Sequence, residues 1–239
     1  MDTDIKKGLM GVTVDETSVS KVIPEINSLT YRGYAAQDLC EKCKFEEVAY
    51  LILNGELPNE KQLKDFERQE RKERKLSKTL LQDIKNFPKK AHPMDVARTA
   101  VSIMGLEDKE TKDNSPKANM RKVMRIFAKT PVALAAFYRS RKGKKIISPK
   151  NNLSFSENFF YMCFGKVPNK DIVKAFDVSL ILYAEHSFNV STFTARTITS
   201  SLSDIHGAIT GAIASLKGPL HGGANEEVMH MMNKIKKPE

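Results

Sequence analysis

The chain has 239 residues, 41% of them hydrophobic and 28% charged, so it can bury a sizeable core as one large domain or two small ones. Its 39 lysines and arginines outnumber its 29 aspartates and glutamates, and the formal net charge of +10 favours anionic partners. No zinc-finger spacing, RNA-recognition motif or long basic tail indicates a nucleic-acid-binding protein, and a basic solvated surface is the plain alternative.

Three cysteines, Cys40, Cys43 and Cys163, do not pair up. Cys40 and Cys43 have the spacing of a metal-ligand pair, but the second pair that such a site needs is missing. We therefore expect no metal and no cofactor, and reduced thiols in a cytoplasmic protein. No segment approaches 18 uncharged apolar residues and no apolar run follows Met1, so nothing indicates membrane insertion or secretion.

The N-terminal region predicts a small β element. Residues 9–22 are rich in Val, Thr and Ser, which favours short strands or extended arms, and Leu29-Thr30-Tyr31 forms another brief strand. A strongly apolar helix then begins at Asp38 or at Lys44, and Gly55 ends it. Helical patterns dominate the rest, so the expected fold class is mainly α.

The middle of the chain predicts a series of helices. Residues 60–87 are charged and helical, and we interpret the nearly all-charged run 67–75 as a solvated helix face or an inter-helix turn. His92-Pro93 marks the start of the next helix, because proline suits a first turn. Pro131 should kink or divide a later one.

Residues 172–184 are apolar around the whole helical circumference, which predicts a buried helix that ends near His186. A second helix follows, and either Ser203 or Asp204 caps a third. That third helix carries small residues, among them Gly207 and Gly211, and such residues let helices approach closely.

The segment around His221 is the strongest candidate for chemistry. Gly218-Pro219 stops the third helix, Gly222-Gly223 gives the backbone freedom, and residues 224–236 predict a new helix. The positive end of that helix disfavours a second proton on the imidazole. A neutral imidazole can donate a hydrogen bond to a carbonyl that is turning into an enolate. The alternative is a histidine kept for packing in a glycine-rich loop.

Four motifs carry a resemblance that spans essentially the whole chain. H-S-F-N-V-S-T-F-T-A-R begins at His186, and G-P-L-H-G-G-A-N-E places His221 35 residues after it. Y-R-G-Y-A-A-Q-D-L and H-P-M-D-V-A-R-T precede them. In this order the motifs resemble the large-domain core of the citrate synthase family, and the opening residues and S-L-I-L-Y-A-E-H-S-F-N look most like its 2-methylcitrate synthase branch.

The resemblance implies a role for four residues. His221 matches the histidine that hydrogen-bonds the thioester carbonyl of acetyl- or propionyl-CoA during enolisation. His186 matches a histidine that binds oxaloacetate, and Asn189 an asparagine that lines the same pocket. Ser191 matches a serine that orients the histidine at position 221.

One departure from the family pattern concerns the remaining catalytic groups. The family's second catalytic histidine, in a G-[YF]-G-H segment, its catalytic aspartate and its oxaloacetate-clamping arginines are expected beyond Glu239. We therefore expect residues 1–239 to be an incomplete large domain of a C-terminally truncated chain, with the small domain absent. On its own this polypeptide is expected to be inactive.

Two functions follow from these residues. The first is an acyltransferase that condenses propionyl-CoA or acetyl-CoA with oxaloacetate, giving 2-methylcitrate or citrate plus CoA; the sequence leaves the choice between the two acyl groups open. The second is a non-catalytic domain that dimerises or binds a dicarboxylate. The resemblance also implies a homodimer, and the composition and motifs indicate neither nucleic acid nor membrane as a partner.

Overall fold

The computed structural model describes residue 6 and residues 11–235, except for the side chain of Asn225. This described part contains eleven α-helices and one three-stranded antiparallel sheet, which confirms the mainly α fold class with a small N-terminal β element. The strands are β1 (Ser20–Ile23), β2 (Ser28–Tyr31) and β3 (Tyr34–Ala35). The helices are α1 (Ala36–Lys42), α2 (Phe45–Asn54), α3 (Glu60–Glu73), α4 (Lys78–Asn86), α5 (Pro93–Glu107), α6 (Pro116–Arg141), α7 (Phe155–Phe164), α8 (Lys170–Leu182), α9 (Val190–Ser200), α10 (Ile205–Leu216) and α11 (Gly223–Ile235).

The sheet is smaller than the sequence suggested. Of the expected strand region 9–22, residues 9 and 10 lie outside the described residues, and 11–19 form no regular strand. Strand β1 pairs with β2 from Ser20 opposite Tyr31 to Ile23 opposite Ser28. Strands β2 and β3 are joined by Arg32 and Gly33, both at positive φ, which is the backbone that a tight two-residue hairpin needs.

Tyr31 fastens this sheet to the end of α8. Its side chain is fully buried, and its hydroxyl donates to the carbonyl oxygens of Ile181 and Leu182, at 2.9 and 3.1 Å. Burial raises the pKa of Tyr31 to about 12, so the hydroxyl keeps its proton as a donor. The chain that leaves α8 towards His186 therefore starts from a fixed point.

The first helical region contains two helices, one beginning at Ala36, two residues before the candidate start Asp38, and one beginning directly after the candidate Lys44. Asp38 lies in the first turn of α1, and Lys44 is the N-cap of α2, which ends at Gly55 as predicted. The φ of Gly55 is +95°, a left-handed conformation that glycine adopts without strain.

The charged run 67–75 is not wholly a solvated face. Its helix α3 ends at Glu73, and residues 74–77 connect α3 to α4, yet Glu70 and Arg74 are each only 1% exposed. Arg74 Nε donates to both carboxylate oxygens of Glu70, at 2.8 and 3.0 Å, and Nη1 donates to the carbonyls of Lys150 and Leu153. The interpretation as a solvated face was wrong for these two residues, because each neutralises the other.

Helix α6 continues through Pro131 as one helix, so of the two expected effects, a kink or a division, the division was wrong. The proline leaves the carbonyl of Phe127 without its helical donor. Immediately after it, the helix buries five apolar side chains in the main core, which offsets that loss: Val132, Ala133, Ala135, Ala136 and Phe137.

The described chain has two apolar clusters. One lies among α4, α5, α6 and α7, and the other joins the sheet to α1, α2 and single residues of α3, α6 and α8. Helix α8 was expected to be buried all round, and that prediction was wrong. It ends at Leu182, four residues before His186, and Ile172 and Leu182 are 48% and 51% exposed, because α1, α2 and α7 cover only one of its sides.

Small residues bring α10 close to two helices of the same chain. A Cβ atom at Gly211 would overlap Cδ1 of Ile198 on α9, and a Cβ atom at Gly105 on α5 would lie 2.9 Å from Cβ of His206 on α10. Asp204, one of the two candidate caps, accepts the amide protons of His206 and Gly207. The close packing at Gly211 therefore serves the α9–α10 contact within one chain.

Candidate active site

The loop between α10 and α11 carries His221. Helix α10 ends at Leu216, and the loop folds back on itself, because the amides of His221 and Gly223 both donate to the carbonyl of Gly218, at 2.9 and 3.1 Å. His221 is half-buried. Helix α11 begins two residues later, so the imidazole lies beside a helix N-terminus, where the backbone potential is positive.

The glycines beside His221 serve close approach, not freedom of the backbone. Neither Gly222 nor Gly223 has a positive φ. A Cβ atom at Gly222 would overlap the carbonyl oxygen of Leu216, and one at Gly223 would lie 3.0 Å from the carbonyl oxygen of Gly218. The expectation of conformational freedom is corrected accordingly: the loop is tight, and glycine is what lets it pack.

Ser191 lies in the first turn of α9 and contacts the ring of His221. Its Oγ is 2.7 Å from Nε2 of His221. A hydroxyl can donate or accept, but if it donates, Nε2 must carry the lone pair and the ring proton sits on Nδ1. That tautomer leaves Nδ1–H as a donor for another molecule.

Asn189 is the N-cap of α9. Its Oδ1 accepts the backbone amide proton of Thr192 at 3.0 Å, which satisfies one of the free amides of the first turn. The family resemblance implied a pocket-lining role for Asn189, and its role as a helix cap was not predicted. With Oδ1 engaged, the Nδ2 amide is the part of this side chain that can donate to a ligand.

His186 lies in the loop between α8 and α9, and its side chain is exposed. It lines a cavity of about 340 Å³ together with residues of β1, β2 and α1. No lysine or arginine lines this cavity, so His186 is the sole cation-forming side chain there. Among the described residues, no hydrogen bond joins the His186 ring to Asn189, Ser191 or His221.

The loop at His186 is tied to the sheet through Ser20. The amide of Ser187 donates to Ser20 Oγ at 2.6 Å, and Ser20 Oγ donates to Oε1 of Glu185 at 3.2 Å. The amide of His186 donates to the same carboxylate at 3.0 Å. Burial raises the pKa of Glu185, and no signal in the sequence pointed to this residue or to Ser20.

Two contacts tie the His221 loop to α5. Lys217 Nζ lies 2.7 Å from Oδ2 of Asp95, and Nε2 of His92 lies 3.0 Å from Oε2 of Glu226 in the first turn of α11. Nδ1 of His92 accepts the amide proton of Met94 as the N-cap of α5. His92 is thus the boundary residue expected from the sequence, and also a link between α5 and α11 that the sequence did not reveal.

The described residues hold no group of three or more His, Cys, Asp or Glu side chains arranged to bind a metal ion. Cys40, Cys43 and Cys163 are free thiols. Burial raises the pKa of Cys40 and Cys43, which disfavours the thiolate that a metal would need.

Residues 8–239 match the family model described as citrate synthase, C-terminal domain. The chain belongs to the citrate synthase family. It is 55% identical over 244 residues to 2-methylcitrate synthase 2 of Corynebacterium glutamicum and 52% identical over 231 residues to a citrate synthase of Mycolicibacterium smegmatis. These matches cover 99% and 97% of this chain, but 63% and 61% of the two relatives, so the chain spans about three fifths of the curated proteins it matches.

A solved citrate synthase has the same fold. The structure from Thermoplasma acidophilum, a ternary complex with carboxymethyl coenzyme A and oxaloacetate, superposes with a TM-score of 0.91 at 30% identity. The match covers 98% of this chain and 62% of that one. Across the described residues of our chain, no helix has both the length and the apolar character needed to cross a membrane.

Proposed function

We propose that this chain supplies part of a site that condenses an acyl-CoA with oxaloacetate. Family membership supports the proposal, as do the names of the relatives, which are citrate synthases and 2-methylcitrate synthases. The solved relative from Thermoplasma acidophilum was captured with oxaloacetate and a coenzyme A derivative. Residues 1–239 would then belong to the large helical domain of such an enzyme.

In this proposal His221 stabilises the enolate. A base removes a proton from the α-carbon of the acyl group, and the thioester oxygen takes up the negative charge. The Nδ1–H of His221, fixed by the donated bond from Ser191, hydrogen-bonds that oxygen. The thioester carbonyl re-forms as the α-carbon bonds the ketone carbon of oxaloacetate, and the ketone oxygen takes up the negative charge and then the proton that the base removed. Water then cleaves the thioester to give a carboxylic acid and CoA.

His186 and Asn189 are assigned to the dicarboxylate. An imidazole and an amide can each donate a hydrogen bond to a carboxylate or a ketone oxygen. They lie three residues apart on the loop that ends in the first turn of α9, and Ser191 lies two residues further on. The Ser191–His221 contact, which links this loop to the acyl-CoA histidine, is the single observation that carries the proposal.

Ligand binding by the 239-residue polypeptide tests these roles. Each of the five histidines gives its own ring signal in proton NMR, assigned from single His→Gln variants. We expect oxaloacetate to shift the His186 signal, carboxymethyl coenzyme A to shift the His221 signal, and neither to shift that of exposed His230. The assignment is wrong if H186Q binds oxaloacetate as tightly as the unaltered chain.

A CoA-release assay separates the enzyme from the non-catalytic alternative. We expect the isolated 239-residue polypeptide to bind these ligands without turnover, since the roles proposed for its residues are to bind the ligands and stabilise the enolate, and none of them is to remove the α-proton. Measurable CoA release from propionyl-CoA or acetyl-CoA would contradict that expectation and place a base within these residues. The preference between the two acyl groups is expected to be modest, because one methylene is worth about 1–3 kcal/mol in an apolar pocket.

We also propose a homodimer in a reducing cytoplasm. Large apolar side chains are exposed on α8, α9 and α11, among them Leu182, Phe193 and Met232. Apolar surface of this kind favours a partner surface, and three free thiols suit a reducing compartment. Light scattering after size exclusion should give twice the chain mass of 26.9 kDa, and a monomer at micromolar concentration would refute the dimer.

A further inference from the structure

A second cavity lies far from these residues in the sequence, between the α3–α4 connection, the middle of α6 and the loop 146–151. Its volume is about 400 Å³, within the range of about 300–1,000 Å³ typical of small-molecule sites. We call it the basic cavity. Most of its lining residues form a cationic rim or an aliphatic floor, and Ser148, Pro149 and Asn151 complete the lining. The rim consists of Arg71, Lys72, Arg74, Lys75 and Lys78, and the floor of Leu76, Leu81, Val132, Ile146 and Ile147.

Three of the five positive charges on the rim have no ion-pair partner among the described residues. No aspartate or glutamate lines the cavity. Arg71 and Arg74 are held by carboxylates behind them, Glu67 and Glu70. The remaining three rim residues are exposed lysines at positions 72, 75 and 78, and among the described residues no carboxylate forms an ion pair with any of them.

The start of α4 adds to this positive potential. Lys78 is the first residue of α4, and the first turn contains no acidic residue. The partial positive charge of the helix N-terminus therefore adds to the positive charge of the lysines. Ser77, which caps α4, donates a hydrogen bond at 2.6 Å to Glu107, an acid that lines a different cavity.

The floor determines which kind of uncharged group a ligand can place in the cavity. All five floor side chains are aliphatic, and no aromatic ring lines the cavity, so a nucleobase would find nothing to stack on. An alkyl chain would instead bind favourably, because its contacts with leucine, isoleucine and valine remove apolar surface from water. Positive rim and aliphatic floor together match a molecule with an anionic head and an alkyl tail.

We propose that the basic cavity binds a soluble medium-chain fatty acyl anion, with its carboxylate among Lys72, Lys75 and Lys78 and its chain on the floor. None of the lining residues belongs to the candidate active site, so this inference stands independently of the proposed condensation reaction. The same head-and-tail chemistry occurs in anionic lipid membranes, and the test separates the two sources.

The test uses sodium decanoate below its micelle concentration, with binding measured by calorimetry and by methyl NMR of the leucines and isoleucines. We expect saturable binding that shifts the methyl signals of the floor residues. The triple variant K72Q/K75Q/K78Q should bind about tenfold more weakly, because each exposed ammonium contributes about a factor of two. The control K61Q/K85Q/K166Q removes three exposed lysines that do not line the cavity, and it should bind as the unaltered chain does.

Three results would overturn the proposal. One is equal weakening in the two triple variants, which would mean attraction to net charge alone. Another is a shift confined to exposed apolar residues of α8, α9 and α11, with the floor unaffected. The third is binding to phosphatidylglycerol vesicles without binding to free decanoate, which would make the surface a membrane contact. In contrast, 1-decanol, which has the tail without the charge, should bind more weakly than decanoate.

Discussion

Oγ of Ser191 lies 2.7 Å from Nε2 of His221, and this contact joins the first turn of α9 to the glycine loop before α11. The two residues are 30 positions apart in the chain, with the whole of α10 between them. The hydrogen bond therefore depends on how closely α9 and α10 pack, which Gly211 permits. Helix packing thereby sets the orientation of one imidazole.

Replacing Ser191 by alanine should remove the preference of His221 for the tautomer with its proton on Nδ1. A hydrogen bond of this kind contributes about 1 kcal/mol, so the ratio of the Nδ1–H to the Nε2–H form should fall about fivefold. Ring ¹⁵N chemical shifts measure that ratio directly. S200A is the matched control, because Oγ of Ser200 bonds a carbonyl of its own helix, at Thr197. An unchanged tautomer in S191A would mean that Ser191 does not orient the ring.

Removing one partner of the buried Glu70–Arg74 pair should destabilise the fold strongly. In E70A the guanidinium of Arg74 stays buried without its counter-charge, which typically costs about 3–5 kcal/mol. The exposed pair Glu60–Lys64 has the same spacing on the same helix, and E60A should cost less than about 1 kcal/mol. Urea unfolding followed by circular dichroism measures both. Similar losses in the two variants would show that burial does not govern the pair.

The sequence predicted local features well, because helix starts and stops are decided by neighbours in the chain. Lys44, Gly55 and Asp204 each lie at a helix boundary for reasons that a few adjacent residues contain. Burial was harder to predict. The residues of α8 are apolar around the whole helix. Their burial also depends on which elements pack beside the helix, and in this chain one side of α8 is exposed.

Contacts between distant residues were not predictable from one sequence. Asp177 on α8 caps α2 by accepting the amide proton of Phe45 at 2.9 Å, and it also accepts the hydroxyl proton of Ser156. The site shows the same limit. Family resemblance indicated Ser191 and His221, whereas the link between His92 and Glu226 has no signature in local pattern or composition.

His206 should make stability depend on pH near neutrality. It is 2% exposed, and burial lowers its pKa against the opposing charges of Asp108 and Asp204, with Lys122 and Arg125 adding to the decrease. The unfolded chain takes up a proton near pH 6.5, where the folded chain does not. The free energy of unfolding should therefore fall as pH drops below about 6.5, with a slope of at most about 1.4 kcal/mol per pH unit.

The variant H206Q removes this titration, so its unfolding free energy should change less between pH 7 and 5.5 than that of the unaltered chain. Carboxyl groups with raised pKa values, such as Glu46 and Glu70, contribute with the opposite sign but are common to both proteins and cancel in the difference. H230Q, at an exposed position, is the control and should keep the original slope. Parallel curves for H206Q and the unaltered chain would rule out His206 as the source.

Adding one methyl group at Gly222 should disturb the His221 loop. A Cβ atom there would overlap the backbone carbonyl of Leu216, which cannot rotate away as a side-chain end can, so G222A should cost about 1–3 kcal/mol. The loop must also shift, and we expect the Ser191–His221 hydrogen bond to break, with a changed ¹⁵N spectrum of the His221 ring.

G207A is the matched control on α10: its Cβ would lie 3.2 Å from Oγ of Ser203, and alanine favours the helix by up to about 1 kcal/mol. G207A should therefore leave the His221 signal in place and keep or raise the urea midpoint. If G222A behaves in the same way, the close approach of this loop to Leu216 does not hold the imidazole in position.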